Sequence, residues 1–207
     1  MNIVQKSKER YLEYEKRHQD ILDAAIGIFN SKGYRTATTA EISQAAGISE
    51  PTMYKHFSGK KALFLKCVQA IRDELQDQYD RAYKEYRDHQ NEIRYMDAVS
   101  KIYFNFVENK PHKSMFLVHL LSYKDDPDFE KELRDFIDNS VTGIERILVS
   151  AGKKGRIKSP LDEYSLACFY VNQYFTIVAL KEFMNPEGFN EDSLIKFVHS
   201  LLGLCEE

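Results

Sequence analysis

Apolar residues in this chain recur every three or four positions along most of its length, a spacing that suits an amphipathic helix. The longest run begins at Leu63 and passes through Phe64, Cys67, Val68, Ile71, Leu75, Tyr79, Ala82 and Tyr86. At 3.6 residues per turn these side chains form one stripe that has to be buried against another element. No stretch alternates convincingly with period two, as a half-buried strand would, and no internal repeat is evident. Breakers are scarce, with nine Gly and five Pro spread over 207 residues. Since 43% of the chain is hydrophobic and 13% aromatic, there is ample material for a buried core, and an all-α fold is expected.

The helices can be placed from their stripes and breakers. Ile21, Leu22, Ala25, Ile28 and Phe29 define a first helix that stops at Ser31-Lys32-Gly33, where glycine suits the left-handed closing position. Upstream, residues 1–17 are highly charged and extend that helix or fray from it. After the long helix from Gly59, others are expected near 92–108, 112–123, 128–151, 161–184 and 191–204. The breaks fall at Pro111, at Lys124-Asp125-Asp126-Pro127, at Gly152 with the basic loop Lys153-Lys154-Gly155-Arg156, and at Asn185-Pro186-Glu187-Gly188.

Charge is unevenly shared. Residues 1–66 carry 11 Lys/Arg against 7 Asp/Glu, whereas the remainder carries 18 against 25. A mildly basic head on an acidic body fits a protein that docks one end on a polyanion. Cys67, Cys168 and Cys205 are scattered, without CxxC spacing or a Cys/His cluster, so neither a disulfide framework nor a metal site is expected. The polar N-terminus has no signal-like apolar region, and the apolar run Ser165–Leu180 is short for a membrane span and broken by Asn172 and Gln173. A cytoplasmic protein without membrane attachment is expected. The chain has no G-x-S-x-G, H-E-x-x-H, P-loop or dinucleotide fingerprint, so neither an enzyme nor a cofactor is expected.

Residues 38–63, TTAEISQAAGISEPTMYKHFSGKKAL, are more specific. Thr38 followed by Glu41 is a capping box that opens a short helix, with Ile42, Ala45 and Ala46 on its inward face. Gly47 permits the positive φ of a tight interhelical turn. Ile48 re-enters the core, Ser49 caps a second short helix, and Pro51 sits in that helix's first turn, where a missing N–H does no harm. Two short helices joined in this way form a helix-turn-helix. The plain alternative is a helical hairpin in a core with surface Thr, Lys and His.

This stretch resembles the TetR family of bacterial repressors at Thr39, Glu41-Ile42, Ala46-Gly47-Ile48-Ser49, Thr52-Met53-Tyr54, His56-Phe57, Lys60 and Leu63. The likeness continues upstream through Ala24-Ala25, Phe29, Gly33-Tyr34 and Thr38, and covers about residues 18–66. It implies a three-helix DNA-binding domain at 1–66, with 1–17 as an N-terminal extension, and a larger helical ligand-binding and dimerisation domain at 67–207. Thr39, Thr52, Tyr54 and Lys60 would hold phosphates, while Glu50, Pro51, Lys55 and His56 would lie nearest the base edges. Pro51 stands where many members carry Gly, which leaves the base preference open. The extension's Lys6, Lys8, Arg10, Lys16 and Arg17 belong to a solvated helix end or, as the alternative, to a basic arm on DNA.

The resemblance further implies a homodimer on a palindromic operator, joined through the last two helices, with Phe169, Leu194, Phe197, Val198, Leu201 and Leu202 as interface candidates. It also implies a small-molecule effector whose binding shifts the long helix and releases the repressor. Its pocket candidates are Tyr103, Phe116, His119, Tyr123, Tyr170, Asn172 and Tyr174, with Phe104 and Phe106 beside them, a lining for an apolar or aromatic ligand. An aromatic stripe serves equally as core. The competing function is a DNA-binding protein without such an effector, whose C-terminal part serves assembly or partner binding; an enclosed cavity between the helices of 92–184 discriminates the two.

Overall fold

The computed structural model describes residues 3–184 and 190–203, and among these residues the chain is helical with no strand. Nine α-helices follow one another: α1 (Ile3–Thr36), α2 (Thr39–Ala45), α3 (Glu50–His56), α4 (Lys60–His89), α5 (Glu92–Asn109), α6 (Pro111–Leu120), α7 (Pro127–Lys153), α8 (Glu163–Ala179) and α9 (Glu191–Leu202). A 3₁₀ turn, Leu121–Tyr123, follows α6, and a π turn, Leu180–Met184, follows α8. The Asn185–Gly188 break and Cys205 lie outside the described residues.

The expected elements are present with shifted ends. The breaks at Pro111 and at Lys124–Pro127 are present, and each proline opens the following helix at its first turn, the position that tolerates it. Helix α7 runs through Gly152 to Lys153, and α8 begins at Glu163 behind the Asp162 cap. The charged extension is continuous with α1. At Gly33 the backbone leaves helical geometry, with φ 75° and ψ 157°. The boundary expected between residues 66 and 67 falls inside α4, so one uninterrupted helix belongs to both the head and the body.

The head is joined to the body by an aromatic cluster centred on Phe64. Its ring lies 5.0 Å from Phe29 of α1, 4.8 Å from Phe116 of α6 and 4.7 Å from Phe129 of α7. Tyr34 and Tyr123 meet the same ring edge-on at 5.0 and 5.7 Å. The backbone N–H of Tyr34 donates to the Tyr123 hydroxyl at 2.8 Å. At the far end, α9 lies on α5 and is held there by His199 Nε2 against Asp97 Oδ1 at 2.5 Å.

The loop after α7 has a role that its composition did not disclose. Glu92, at the start of α5, is fully buried. Lys154 Nζ and Arg156 Nη1 reach its two carboxylate oxygens at 2.6 Å each, and Ser150 Oγ donates to it at 2.7 Å. The same cations reach the carbonyl of Gln90, which ends α4 in a left-handed conformation. One carboxylate thus ties the ends of α4, α5 and α7. Burial alone would push Glu92 up, but the hydrogen bonds from Lys154, Ser150, its own backbone and Arg156 outweigh it and hold the group at about 2.

A folded-state value below the unfolded one stabilises the fold above the unfolded value, and this contribution fades as pH falls through the folded one. The wild type is therefore expected to lose a slice of stability between roughly pH 4.5 and pH 2 that Glu92→Gln lacks. At neutral pH the variant should be less stable by about 1–3 kcal/mol, since its two cations are half-exposed and recover some hydration. Urea unfolding of both proteins across that pH range measures the difference.

Candidate nucleic-acid interface

Helices α2 and α3 form a helix-turn-helix whose geometry follows from four residues. Thr38 Oγ1 accepts from the Glu41 N–H while the Glu41 carboxylate accepts from the Thr38 N–H, so the capping box is complete. Gly47 turns the chain at φ 65°, and the Ile48 N–H closes the turn on the Ser43 carbonyl at 3.0 Å. The Ser49 hydroxyl then accepts from the Thr52 N–H and caps α3, with Pro51 in its first turn. Ile42 and Met53 face inward and are fully buried. The expected inward face of α2 needs one correction: Ala45 is exposed, and Ser43 takes the buried place by returning its hydroxyl to the Thr39 carbonyl at 2.8 Å.

The outward surface presents Pro51, Tyr54 and Lys55, all exposed, with Thr52 and Glu50 half-buried beside them. Glu50 accepts a short hydrogen bond from Thr39 Oγ1, which also lies 3.3 Å from the Tyr54 hydroxyl. This groups one carboxylate and two hydroxyls at the N-terminal side of α3. Hydroxyls suit phosphate contacts, and a held carboxylate can accept from a cytosine amino group in the major groove. Lys55 has no ion-pair partner among the described residues, which leaves its charge available to a polyanion.

Lys60 and His56 are turned to the rest of the chain and do not join the outward surface of α3. Lys60 Nζ donates to the carbonyls of Ala37 at 2.8 Å and Arg35 at 3.1 Å, and lies 4.9 Å from the centre of the Tyr34 ring. It closes the end of α1 onto the start of α4. His56 stacks on Tyr14 of α1, with centroids 4.3 Å apart and ring planes 21° apart, and His18 stands 5.7 Å away. Burial lowers the pKa of His56, helped by the nearby His18 and Arg17; burial is also the main cause for His18. The rings are thus biased toward the neutral form. The Tyr14–His56 pairing escaped sequence reasoning because its residues are 42 positions apart and belong to no motif.

The remaining candidates separate into three places. Tyr103, Tyr170 and Tyr174 meet in the body, the Tyr103 ring being 6.3 and 5.6 Å from the other two, and Tyr170 bonds both Ser100 and the Met96 carbonyl. Phe104 and Phe106 are also buried in the core. Phe116 and Tyr123 belong to the Phe64 cluster, and His119 is half-buried on α6. A cavity of about 90 Å³ lies against Tyr79, Tyr95, Tyr103, Asn139 and Ser140. Asn172 sits instead on the outer side of α8, beside exposed Phe169. There, α8 and α9 form a groove of about 340 Å³ lined by Phe169, Gln173, Ile177, Phe197 and Leu201. Of the interface candidates, Phe169 and Phe197 are exposed and Leu201 half-buried, while Leu194, Val198 and Leu202 are buried within the chain. Among the described residues no cluster of potential metal ligands occurs, and no helix is long and apolar enough to cross a membrane.

Adding a methyl group at Gly47 meets no atom within 4 Å, so the cost of Gly47→Ala is the backbone's alone. The variant is expected to lose about 1–2 kcal/mol and Gly47→Asn distinctly less, because Asn tolerates the left-handed region. Chemical-denaturation midpoints of the two variants check this.

Residues 21–67 match the family model described as bacterial regulatory proteins, tetR family. The transcriptional activator FasR of Mycolicibacterium smegmatis is 33% identical over 98 residues, which are 47% of this chain and 43% of FasR, less than half of that protein. The nucleoid occlusion factor SlmA of Vibrio cholerae is 28% identical over 163 residues, 76% of this chain and 79% of SlmA. The structure of FadR from Bacillus subtilis in complex with stearoyl-CoA superposes with a TM-score of 0.70 at 17% identity, covering 89% of this chain and 96% of that one. Residues 21–67 thus carry a helix-turn-helix similar to that of bacterial regulatory proteins of the tetR family, and the chain as a whole shares the fold of FadR.

Proposed function

We propose that this protein is a homodimer that represses transcription by occupying a palindromic operator. The observation that carries the reading is the α3 surface, where Tyr54 and Lys55 are exposed beside the Thr39–Glu50 pair, on a helix fixed by the Ser49 cap and the Gly47 turn. Residues 1–66 act as the DNA-binding part and 67–207 as the body. Repression and activation use the same contact, and the position of the operator relative to the promoter sets the sign; FasR carries the name of an activator.

Dimerisation is supported by the α8–α9 groove. Phe169 and Phe197 are 55% and 60% exposed there, a poor arrangement for an isolated chain. Gln173 is buried at the same groove, and neither its amide nitrogen nor its oxygen has a hydrogen-bond partner among the described residues. An unsatisfied buried amide costs about 1–3 kcal/mol, which a second copy seated in the groove would relieve.

For the body, the fold shared with FadR, solved with stearoyl-CoA, supports an effector whose apolar part enters along the tyrosine seam. Such coupling is typically worth about 1–3 kcal/mol between pocket and operator. The second reading, a DNA-binding protein whose body serves assembly or partner binding, is favoured by the packing of that seam. A space of about 90 Å³ is well below the roughly 300–1,000 Å³ of ordinary ligand pockets, and the likeness to SlmA extends over 76% of the chain.

Fluorescence anisotropy on a duplex selected from random DNA by the full-length protein tests these readings. Affinity should fall with salt at a slope of about 0.9 per neutralised phosphate, and Tyr54→Ala/Lys55→Ala should weaken binding and flatten that slope. Binding with no preference over random duplex would overturn the operator reading. Release by stearoyl-CoA or another acyl-CoA supports the effector, whereas indifference to the acyl-CoA series and to aromatic ligands supports assembly. In light scattering, Phe197→Lys is expected to convert the dimer to monomer and to weaken operator binding at least tenfold; an unchanged mass would place the interface elsewhere.

A further inference from the structure

We infer that the N-terminal extension of α1 is a second DNA-contacting element, which lays Lys6 and Arg10 on phosphates flanking the site read by α3. The inference rests on the operator-binding reading and adds to it a surface outside the helix-turn-helix. Four observations carry it.

The extension is first of all a continuation of α1, helical from Ile3 onward. A free segment of this length would barely hold a helix, but one extending an anchored helix avoids the cost of nucleation. Second, it is fixed relative to the recognition helix. Tyr14 of the extension stacks on His56, the last residue of α3, and His18 packs 4.5 Å from the Phe57 ring, so the rod departs from the C-terminal end of α3.

Third, its charges are arranged. At about 100° per residue, Lys6, Arg10 and Arg17 fall within about 40° of one another, and Tyr14 borders that face. The basic stripe therefore adjoins the side docked against α3. Glu13 shares the stripe and is engaged by Arg17 at 3.6 Å. Lys6 and Arg10 are exposed and have no carboxylate partner among the described residues. Lys8 and Lys16 lie on other faces and add only diffuse charge.

Fourth, the length suits a duplex. Twelve residues separate His18 from Lys6, about 18 Å of helix at 1.5 Å per residue. That length corresponds to up to about five base pairs of B-form DNA at 3.4 Å each. A helix running along the flank would set Lys6 and Arg10 on phosphates and not in a groove, so the inferred contact positions the protein without reading sequence.

The test compares full-length wild type with Lys6→Gln/Arg10→Gln on the selected duplex, with its flanks intact and with five base pairs trimmed from each end. Glutamine keeps helix propensity, and Lys6→Arg/Arg10→Lys keeps the charge as a control for folding. The neutral variant is expected to lower the salt slope on the long duplex by about 2 per protomer, about 3.6 for the dimer, and to shorten the protected footprint, with the ranking of core sequences unchanged. The charge-preserving variant should match wild type, and trimming should bring wild type down to the neutral variant. An unchanged slope and footprint, alongside weakening by Lys55→Ala, would overturn the inference while leaving the operator reading standing. A changed sequence ranking would also overturn it, because the contact would then be with bases. If wild type itself shows no preference for the selected duplex, the operator reading falls and takes this inference with it.

Discussion

The arrangement of the whole chain depends on the packing around Phe64. Helices α2 and α3 are about two turns long each and do not enclose a core with α1 alone; the first turns of α4 complete it. Phe64 is packed by Phe29 and Tyr34 from the head and by Phe116, Tyr123 and Phe129 from the body. Both sides thus bury apolar area against the same ring, and neither can reorient without exposing it. The Lys61 ammonium adds pairs to Asp126 at 2.8 Å and Asp128 at 2.6 Å just outside the cluster. These surface pairs contribute less than the rings do.

Coupling between head and body can run along α4, since that helix is common to both. Its start is held by Lys60 on the carbonyls of Arg35 and Ala37, and its end by the Gln90 carbonyl under Lys154 and Arg156. Between the two clamps, α4 packs through Cys67, Val68, Ile71 and Leu75, all fully buried. Any event in the body that moves α4 therefore acts against fixed points at both ends.

Much of this was legible in the sequence, and what was not has a physical reason. Features set by neighbours in the chain could be read directly: the Thr38–Glu41 box, the turn at Gly47, the Ser49 cap and the stripe from Leu63 onward. Features set by residues far apart could not. The basic loop at 153–156 reads only as a helix break, because Glu92, its partner, lies some sixty residues earlier. His56 resembled a base reader because nothing local reveals Tyr14 above it. The aromatic candidates of the body were grouped by residue type, yet Phe116 and Tyr123 pack at the head while Tyr103, Tyr170 and Tyr174 pack together farther along. Composition alone cannot tell two aromatic clusters from one pocket. Gln173 reads in the sequence only as an interruption of an apolar run, and its place at the groove, with its amide unpartnered among the described residues, depends on where α9 packs.

The unbroken passage of α4 from head to body also bears on how such proteins can diversify. A gene fusion that exchanged heads between relatives at residue 66 would keep Phe64 with its parental α1 but face it with foreign partners from α6 and α7. The inherited unit is therefore larger than the DNA-reading module: Phe29, Tyr34 and Phe64 have to travel with Phe116, Tyr123 and Phe129, or change together. Recombination between distant lineages is penalised at this seam, whereas point changes on the outer face of α3 are not. That outer surface can change one substitution at a time, while the joint between head and body is passed on whole.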